Sequence, residues 1–334
     1  MARYFIGMDG GASKTHVALY DRQTGMMDLL KAPGSNYQML PQGLHTFYEI
    51  IAAATKEILS RNDINIEAIA AAGFGMAGMD SPRQHDLLSQ VFRKIGYQQF
   101  SLGNDSVMGI KGFTLSGVGI AAVNGSGFSV IAMDKEGETV QTGGLGRYTG
   151  DKGGGGYYFE EVVAAVFEEL YKGGKQTALT APMLALFQAT ERIRFVEQLA
   201  LLLDDAAAKK KMYTPVSILL HEAAEAGDET ALSILEKSGQ TYARAIYHAA
   251  KGLPSLFRQA EIEVGLVGSN FTKCESQKVI STIKEQLVKT DKQFRLQIAD
   301  APPVAGGVLW AMETAGIEVT AEEKYEIRRA LAEK

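Results

Sequence analysis

The chain has 334 residues, of which 46% are hydrophobic and 22% charged, a composition typical of a folded globular protein rather than a disordered one. Its formal net charge is −5, and the mixed charges form no basic patch, which argues against binding to nucleic acid or to an anionic membrane. The single cysteine excludes an internal disulfide and any metal site built only from cysteines of one subunit.

The length predicts two domains of ordinary size with a cleft between them. The amino terminus lacks the basic and then apolar pattern of a signal peptide, and no apolar run approaches the length of a membrane span. We therefore expect a cytoplasmic protein that does not bind membranes. The five histidines show no metal-ligand spacing.

The first segment with chemical meaning is an apolar strand that runs from residue 5 into a glycine turn. The turn and the residues behind it include Asp9, Gly10, Gly11, Ser13, Lys14 and Thr15. Glycines let backbone N–H groups converge on an anion, Lys14 neutralises its charge, and Asp9 can hold a water molecule of a Mg²⁺ ion. Since another strand follows at residues 15–20, the segment predicts a phosphate-binding hairpin rather than the strand-to-helix turn of a P-loop. An ordinary hairpin turn is the alternative.

The next elements alternate between helices and strands. We predict a helix at 39–60, a strand at 68–75, a helix from Ser81-Pro82 to Ile95 and a strand at 99–102. The first part therefore has the order βββαβαβα, with three antiparallel strands followed by parallel ones.

Three polar residues of this part lie where loops could reach a cleft. Asp105 follows a predicted parallel strand, where open α/β sheets present residues to ligands, and it could accept a proton from a substrate hydroxyl. Its alternative role is a helix N-cap. Asp80 could bind a sugar hydroxyl or cap the next helix, and Asn36 could bind ligand or simply form a turn.

The pattern of the first hairpin returns at residues 119–134, where two apolar strands flank Gly125, Ser126 and Gly127, and a third strand is predicted at 138–142. Two hairpins of one design indicate an internally duplicated α/β fold. We expect their turns to face each other across a cleft and to hold one polyphosphate from both sides.

Eight glycines lie between residues 143 and 156, together with Arg147, Asp151 and Lys152. Such a segment is entropically costly to order, so we expect a loop that closes over a ligand. A flexible linker is the alternative.

Helices dominate residues 157–251, and we interpret the lysine run at 209–211 as a solvated helix end. A strand at 261–267, a helix at 273–289, a strand at 294–298 and a helix near Ala305 complete the second unit. We predict a first domain at 1–114, which the terminal helix at about 318–334 rejoins. The second domain is predicted at 115–317, with a helical insertion at about 157–255.

With these motifs in order, the sequence resembles the BadF/BadG/BcrA/BcrD ATPase family of the actin, hexokinase and Hsp70 superfamily, and most closely its N-acetylglucosamine kinase branch. Residues 9–15 resemble the first phosphate motif, 124–127 the second, 264–271 the adenosine motif and 143–153 the sugar loop. The resemblance implies duplicated ribonuclease H-like (actin-like ATPase) domains, each with a mixed five-stranded sheet, and a cleft between them.

The resemblance also implies functions for individual residues. Asp105 would be the catalytic base, and Asp9 would hold Mg²⁺ through water. The sugar would contact Asn36, Asp80, Asp105, Gly144, Leu145 and Asp151. ATP would contact the residues of the first turn named above together with Gly125, Ser126, Gly127, Gly268, Ser269 and Lys273. The implied protein is a homodimeric ATP-dependent kinase of an amino sugar, N-acetylglucosamine first.

Three positions depart from the pattern of the kinases. Leu145 stands where Trp is usual, Lys152 where Glu is usual, and Phe128 where a small polar residue follows the phosphate turn. These departures leave the phosphate chemistry intact but put the identity of the sugar in question. Two alternatives therefore stay open. One is an ATPase that activates an iron–sulfur enzyme, which the lone Cys274 argues against, and the other is a sugar sensor without turnover.

Overall fold

The computed structural model describes residues 2–274 and 276–334. Its first sheet consists of β1 (Tyr4–Gly10), β2 (Lys14–Asp21), β3 (Met26–Pro33), β4 (Ile69–Met76) and β5 (Phe100–Gly103). The strand order is β3-β2-β1-β4-β5, in which β1, β2 and β3 are antiparallel neighbours, whereas β4 and β5 run parallel to β1. The predicted antiparallel start followed by parallel strands is confirmed.

A second sheet repeats this plan. Its strands are β6 (Gly119–Asn124), β7 (Phe128–Met133), β8 (Thr139–Thr142), β9 (Glu261–Val267) and β10 (Gln293–Ile298). They are ordered β8-β7-β6-β9-β10, again with three antiparallel strands and two that run parallel to the first. The duplicated α/β architecture with mixed five-stranded sheets is therefore confirmed.

Helices cover the sheets and fill the segment between β8 and β9. They are α1 (Leu44–Arg61), α2 (Pro82–Ile95), α3 (Val107–Phe113), α4 (Gly154–Lys172), α5 (Thr180–Leu186), α6 (Arg192–Leu203), α7 (Ala206–Lys211), α8 (Tyr213–Glu225), α9 (Glu229–Gly252), α10 (Pro254–Phe257), α11 (Ser269–Thr272), α12 (Lys278–Leu287), α13 (Val304–Thr314) and α14 (Ala321–Ala332). Helix α14 packs against β3 and α13. Among the described residues, no helix is long and apolar enough to cross a membrane. The domain boundaries at 114 and 115 stay a prediction.

Two helices begin later in the chain than the sequence predicts. Helix α1 begins at Leu44 rather than at residue 39, because residues 37–39 form a separate 3₁₀ turn and Gly43 precedes the helix with a φ of +55°. The helix predicted at 273–289 is shorter than expected at both ends, since α12 spans Lys278–Leu287. Ser276 Oγ accepts a hydrogen bond from Lys278 N at the start of α12, while Glu275 lies outside the described residues.

Helices α13 and α3 lie between the two sheets and contact them through glycine backbone. Helix α13 packs against β1, β4 and α3, and α3 packs against β6 and β9. A Cβ on Gly73 would lie 2.3 Å from the Gly307 carbonyl oxygen, and a Cβ on Gly306 would lie 2.2 Å from the Met108 carbonyl oxygen. Because real Cβ atoms never approach backbone this closely, only glycine allows the layers to pack at this distance.

We expect Gly306→Ala to destabilise the protein. The new methyl group forces α13 away from α3, at a cost of roughly 1–3 kcal/mol typical of overpacked cores, which outweighs the gain of about 1 kcal/mol that alanine brings to a helix. Gly156→Ala is the matched control, because the nearest atom to its new Cβ is 3.5 Å away. Chemical denaturation of both variants tests this, and equal stability of the two would contradict the contact.

Candidate active site

The first glycine turn joins β1 to β2. Gly11 N donates a hydrogen bond to Lys14 O at 2.9 Å, and Ser35 N donates to Gly11 O at 3.0 Å. These bonds fix the turn, while the Lys14 side chain is exposed. The hydroxyl of Thr15 is buried and donates to Pro33 O at 2.8 Å. Thr15 therefore anchors the turn from behind.

The second glycine turn joins β6 to β7, and helix α4 starts directly against it. Gly155 N donates to Gly125 O at 2.8 Å, and Gly156 N donates to Ser126 O at 3.0 Å. A Cβ on Gly154 would lie 2.4 Å from the backbone of Gly127, so α4 approaches the turn this closely only because it begins with glycines.

Asn124, at the end of β6, connects three segments around this turn. Its Oδ1 accepts hydrogen bonds from Gly154 N at 2.9 Å and from Asn270 Nδ2 at 3.3 Å, and its Nδ2 donates to Tyr158 Oη at 3.0 Å. The side chain is fully buried. A buried amide with its bonding capacity used in this way rigidifies its surroundings, so the second turn is a preformed structure.

The two turns line one cavity of about 430 Å³. The predicted residues that line it are Asp9, Gly11, Ser13, Lys14, Asp105, Gly125, Ser126, Gly127, Gly144 and Gly268. The turns of the duplicated units therefore do lie on one cavity, and we refer to it as the phosphate cavity. Gly10, Thr15, Ser269 and Lys273 do not line it; Ser269 begins α11, and Lys273 follows that helix.

The charges of two carboxylates in the phosphate cavity are only partly compensated. Burial raises the pKa of Asp9 to about 7, helped by the nearby charge of Asp105, while Lys14 opposes the rise. Burial likewise raises the pKa of Asp105 to about 6, helped by Asp80. Perturbed carboxylates in a cleft are typical of functional sites, and half-buried oxygen ligands next to a phosphate-binding turn suit a hard divalent cation.

This donor set fits Mg²⁺ in one particular way. In the described ranges no cluster of three or more His, Cys, Asp or Glu could hold a metal ion. Mg²⁺ commonly keeps several waters and uses one or two carboxylates plus substrate phosphates rather than a protein cage. Asp9, next to the first glycine turn, meets that requirement.

Asp105 lies in the segment between β5 and α3. Ser106, not Asp105, occupies the N-cap position of α3, so the capping alternative for Asp105 is wrong. Asn104 shapes the segment, because its Oδ1 accepts a hydrogen bond from Ser106 N at 2.9 Å and its Nδ2 donates to Asp80 Oδ1 at 2.7 Å. Asp105 therefore lies just after the end of β5 and does not cap α3.

Asp80 and Asn36 do not line the phosphate cavity. Ser81 rather than Asp80 caps α2, so the capping alternative for Asp80 is also wrong. Asp80 instead lines a separate cavity of about 700 Å³. Asn36 Oδ1 accepts a hydrogen bond from Gln38 N at 3.1 Å, the turn role that its sequence context allows. A Cβ on Gly78 would lie 2.8 Å from that oxygen, which places Asn36 against the loop of Asp80.

The glycine-rich loop folds around the carboxylate of Asp151. Asp151 Oδ2 accepts hydrogen bonds from Gly144 N and Gly146 N, both at 2.8 Å, and its side chain is buried. Gly144 has a φ of +109°, a conformation that favours glycine. The loop is therefore held by its own contacts and is not a flexible linker. Gly144, Leu145 and Asp151 line a cavity of about 420 Å³ next to the phosphate cavity.

The three departures from the kinase pattern have different surroundings. Leu145 is 70% exposed, and Lys152 is exposed as well. Phe128 is buried and stacks on Tyr242 with ring centroids 4.3 Å apart. Phe128 therefore supports the glycine-rich loop from below, whereas Leu145 and Lys152 leave its bonding unchanged.

Lys210 is the residue that the sequence interpretation missed. The lysine run of α7 was interpreted as solvated, yet Lys210 is half-buried and lines the phosphate cavity. Its neighbours differ, since Lys209 lies 3.5 Å from Glu160 and Lys211 is exposed. Successive residues of a helix point in different directions, so the run alone could not tell which lysine faces the site.

Comparisons with known proteins agree with this geometry. The model of the BadF/BadG/BcrA/BcrD ATPase family matches residues 6–311. An N-acetylmuramic acid/N-acetylglucosamine kinase of Clostridium acetobutylicum is 24% identical over 242 residues, which cover 71% of this chain and 76% of that protein. An N-acetyl-D-glucosamine kinase of Dictyostelium discoideum is 24% identical over 239 residues, covering 69% and 74% of the two chains.

Solved structures share the fold. A candidate N-acetylglucosamine kinase from Chromobacterium violaceum is similar with a TM-score of 0.66 at 19% identity, covering 92% of this chain and 98% of that one. A hexokinase from Schistosoma mansoni in complex with glucose has a TM-score of 0.54 at 12% identity, covering 94% and 85%. The architecture is therefore that of hexokinase-like proteins, as the sequence predicts.

The raised pKa of Asp9 predicts a pH-dependent gain in stability for Asp9→Asn. Between the ordinary pKa and about 7 the folded protein binds more protons than the unfolded chain, so the Asp9 carboxyl lowers stability as the pH rises through this window. In EDTA, Asp9→Asn should raise the free energy of unfolding at pH 8 by on the order of 1 kcal/mol or more, and by less at pH 4.5.

The control variant should change the free energy of unfolding in the opposite direction. Arg3 hydrogen-bonds Asp21 and lowers its pKa to about 2, so Asp21→Asn should reduce stability at pH 8. Denaturant titrations at both pH values measure the two effects. A loss of stability for Asp9→Asn at pH 8 would contradict the prediction that the Asp9 carboxylate destabilises the folded protein.

Proposed function

The chain belongs to the BadF/BadG/BcrA/BcrD ATPase family, and on this premise we propose that it is an ATP-dependent carbohydrate kinase that phosphorylates a hydroxyl group of an amino sugar. The observation that carries the proposal is the phosphate cavity, in which the turns of both duplicated units and the carboxylates of Asp9 and Asp105 meet. The proposed first substrate is N-acetylglucosamine, because both curated relatives are kinases of that sugar.

In the proposed reaction the glycine turns bind the triphosphate through backbone N–H groups, while Lys14 and Lys210 balance its charge. Bound Mg²⁺, held by Asp9 through water, would neutralise charge that develops on the transferred phosphoryl group. Ser269 and Lys273, beside Gly268, are proposed to contact the adenosine end of the nucleotide.

Asp105 is the proposed general base. With a pKa of about 6 it is largely ionised at neutral pH yet basic enough to accept a proton. It would orient the sugar hydroxyl and take its proton as the oxygen attacks the γ-phosphorus, while ADP leaves with the electrons of the broken P–O bond. Exclusion of water from the closed cleft would prevent loss of ATP to hydrolysis.

The sugar is proposed to lie between Asp105 and the glycine-rich loop. Asp80 and Asn36 would contact it from the first sheet, and Gly144, Leu145 and Asp151 from the second. Because Asp151 bonds two amides of its own loop, it can present one remaining oxygen to a hydroxyl while it holds the loop in shape. The homodimer and the cytoplasmic location stay predictions.

The iron–sulfur alternative finds no support in this chain. Cys274 is its single cysteine, whereas a cluster shared by two subunits needs two cysteines from each. Burial also raises the pKa of the Cys274 thiol to about 11, which disfavours the thiolate that would bind iron.

We expect Asp105→Asn to lower kcat by roughly 10²- to 10⁴-fold, the usual contribution of a general base. The amide keeps the shape of the side chain but cannot accept the proton, so the Kd for ATP should change little. A coupled assay of ADP release with N-acetylglucosamine measures kcat, and calorimetry measures the Kd. Asp204→Asn, at an exposed position, is the control. Near-normal turnover of Asp105→Asn would remove Asp105 from this role.

We expect Lys210→Ala to raise the KM for ATP about tenfold, which corresponds to about 1.4 kcal/mol of lost attraction. The effect should shrink at high salt because charge interactions are screened. Lys211→Ala is the matched control, since it removes the same charge from the next, exposed position of α7. Equal KM values for the two variants would show that only the overall charge of the helix matters.

A further inference from the structure

The cavity of about 700 Å³ that Asp80 lines continues beyond the proposed sugar position. It shares Asn104 and Gln141 with the phosphate cavity, so the two adjoin. From there it extends along α3 to Lys111 and along α13 to Trp310 and Glu313. The cavity has the size of an ordinary ligand site.

One wall of this cavity is aromatic and aliphatic. Trp310, the single tryptophan of the chain, contributes its ring, and Ile131 and Met133 of β7 contribute aliphatic side chains. The indole fits because residue 103 is glycine. A Cβ atom at this position would lie 2.9 Å from Trp310 Cη2. Flat aromatic surfaces of this kind pack against the apolar faces of sugar rings.

The polar lining of the cavity lies next to these aliphatic side chains, because Thr139 and Gln141 of β8 pair with Met133 and Ile131 of β7 and share their face of the sheet. Asp80, Thr139 and Gln141 offer carboxylate, hydroxyl and amide groups, which are suitable partners for sugar hydroxyls. An apolar surface next to several hydrogen-bonding groups matches a saccharide, whose rings have apolar faces and polar edges.

The charge of the cavity excludes an anionic occupant. Its lining contains five carboxylates and two lysines, Lys111 and Lys135. Lys111 is buried and already paired with Glu313 Oε2 at 2.6 Å, and its ammonium group lies 5.7 Å from the centroid of the Trp310 ring. The net field is therefore negative, which repels carboxylates and phosphates and leaves neutral saccharides as the fitting class.

We propose that this cavity is a second saccharide subsite, which binds a neutral sugar unit linked to the ring that is phosphorylated. The inference rests on the proposed function in that the phosphorylated ring lies beside Asp105. The protein would then act on short amino-sugar oligosaccharides in preference to the monosaccharide, with Trp310 as the stacking surface. Reactions that hydrolyse a longer neutral polymer of amino sugars would supply such a substrate.

The test compares N-acetylglucosamine with its β-1,4-linked disaccharide, diacetylchitobiose, on the full chain. Binding is followed by the fluorescence of Trp310, and turnover by ADP release. The disaccharide should quench Trp310 and show a kcat/KM about tenfold higher than the monosaccharide, equal to one decade in affinity. N-acetylmuramic acid, which carries a carboxylate, should gain nothing over N-acetylglucosamine.

Variants locate the effect in the cavity. Thr139→Tyr places a ring into the cavity from an exposed strand position, and it should reduce the ratio of the two kcat/KM values to near one. Glu138→Tyr is the matched control, since it adds the same ring at the neighbouring residue, which does not line the cavity. Thr139→Tyr does not disturb the core, because residue 139 is exposed. A further variant, Trp310→Phe, keeps a ring but should weaken disaccharide binding in a direct titration.

The outcomes separate the subsite from the kinase. Equal affinities for the two sugars, or an unchanged ratio in Thr139→Tyr, would overturn the subsite while phosphorylation of N-acetylglucosamine would still support the kinase. Tight binding of the disaccharide that is lost in Thr139→Tyr, without ADP release from any sugar, would support the subsite and refute the kinase.

Discussion

The rest of the structure depends on glycines, which have no side chains, at the contacts between the sheets and the central helices. Gly7 and Gly73 of the first sheet face Gly307 of α13, and Gly306 on the same helix faces the backbone of α3. Sheet, helix, helix and sheet therefore pack at backbone distance, so the positions of the two sheets relative to each other are fixed by atoms that cannot change rotamer. The glycine turns project from the ends of these sheets, and they meet on one cavity because the layers beneath them lie so close.

The site that results is electrostatically unfavourable when it is empty. Burial raises the pKa of both Asp9 and Asp105; the charge of Asp105 adds to the rise for Asp9, and the charge of Asp80 adds to the rise for Asp105. Lys14 provides an opposing charge close to Asp9. Lys210 also lines the cavity, and it comes from α7 in the helical segment between β8 and β9. Such uncompensated charge lowers folding stability and is typical of sites whose balance is completed by ligands. In the proposed reaction, a divalent cation with a polyphosphate would supply charges of both signs at this place.

The acceptor side is built on a different principle, because its loop is stabilised by itself. Asp151 satisfies two amides of the glycine-rich loop, and Phe128 fills the space below it. Leu145 in this loop is exposed and aliphatic, whereas Trp310 offers an aromatic surface in the cavity of about 700 Å³. In the proposed subsite, Trp310 would supply the apolar surface for a sugar ring.

The sequence by itself determined the strands, the two hairpins and their duplication, because hydrophobic period and glycine turns are local properties that a linear pattern records. It also indicated two candidate functional carboxylates, Asp9 in the first glycine turn and Asp105 after a parallel strand. Only the tertiary structure decided that Lys210 faces the phosphate cavity, that Thr15 lies behind its turn, and that α12 begins at Lys278 rather than at residue 273. Which face of a helix meets a site some hundred residues away depends on packing between distant segments, and that packing leaves no local signal in the chain.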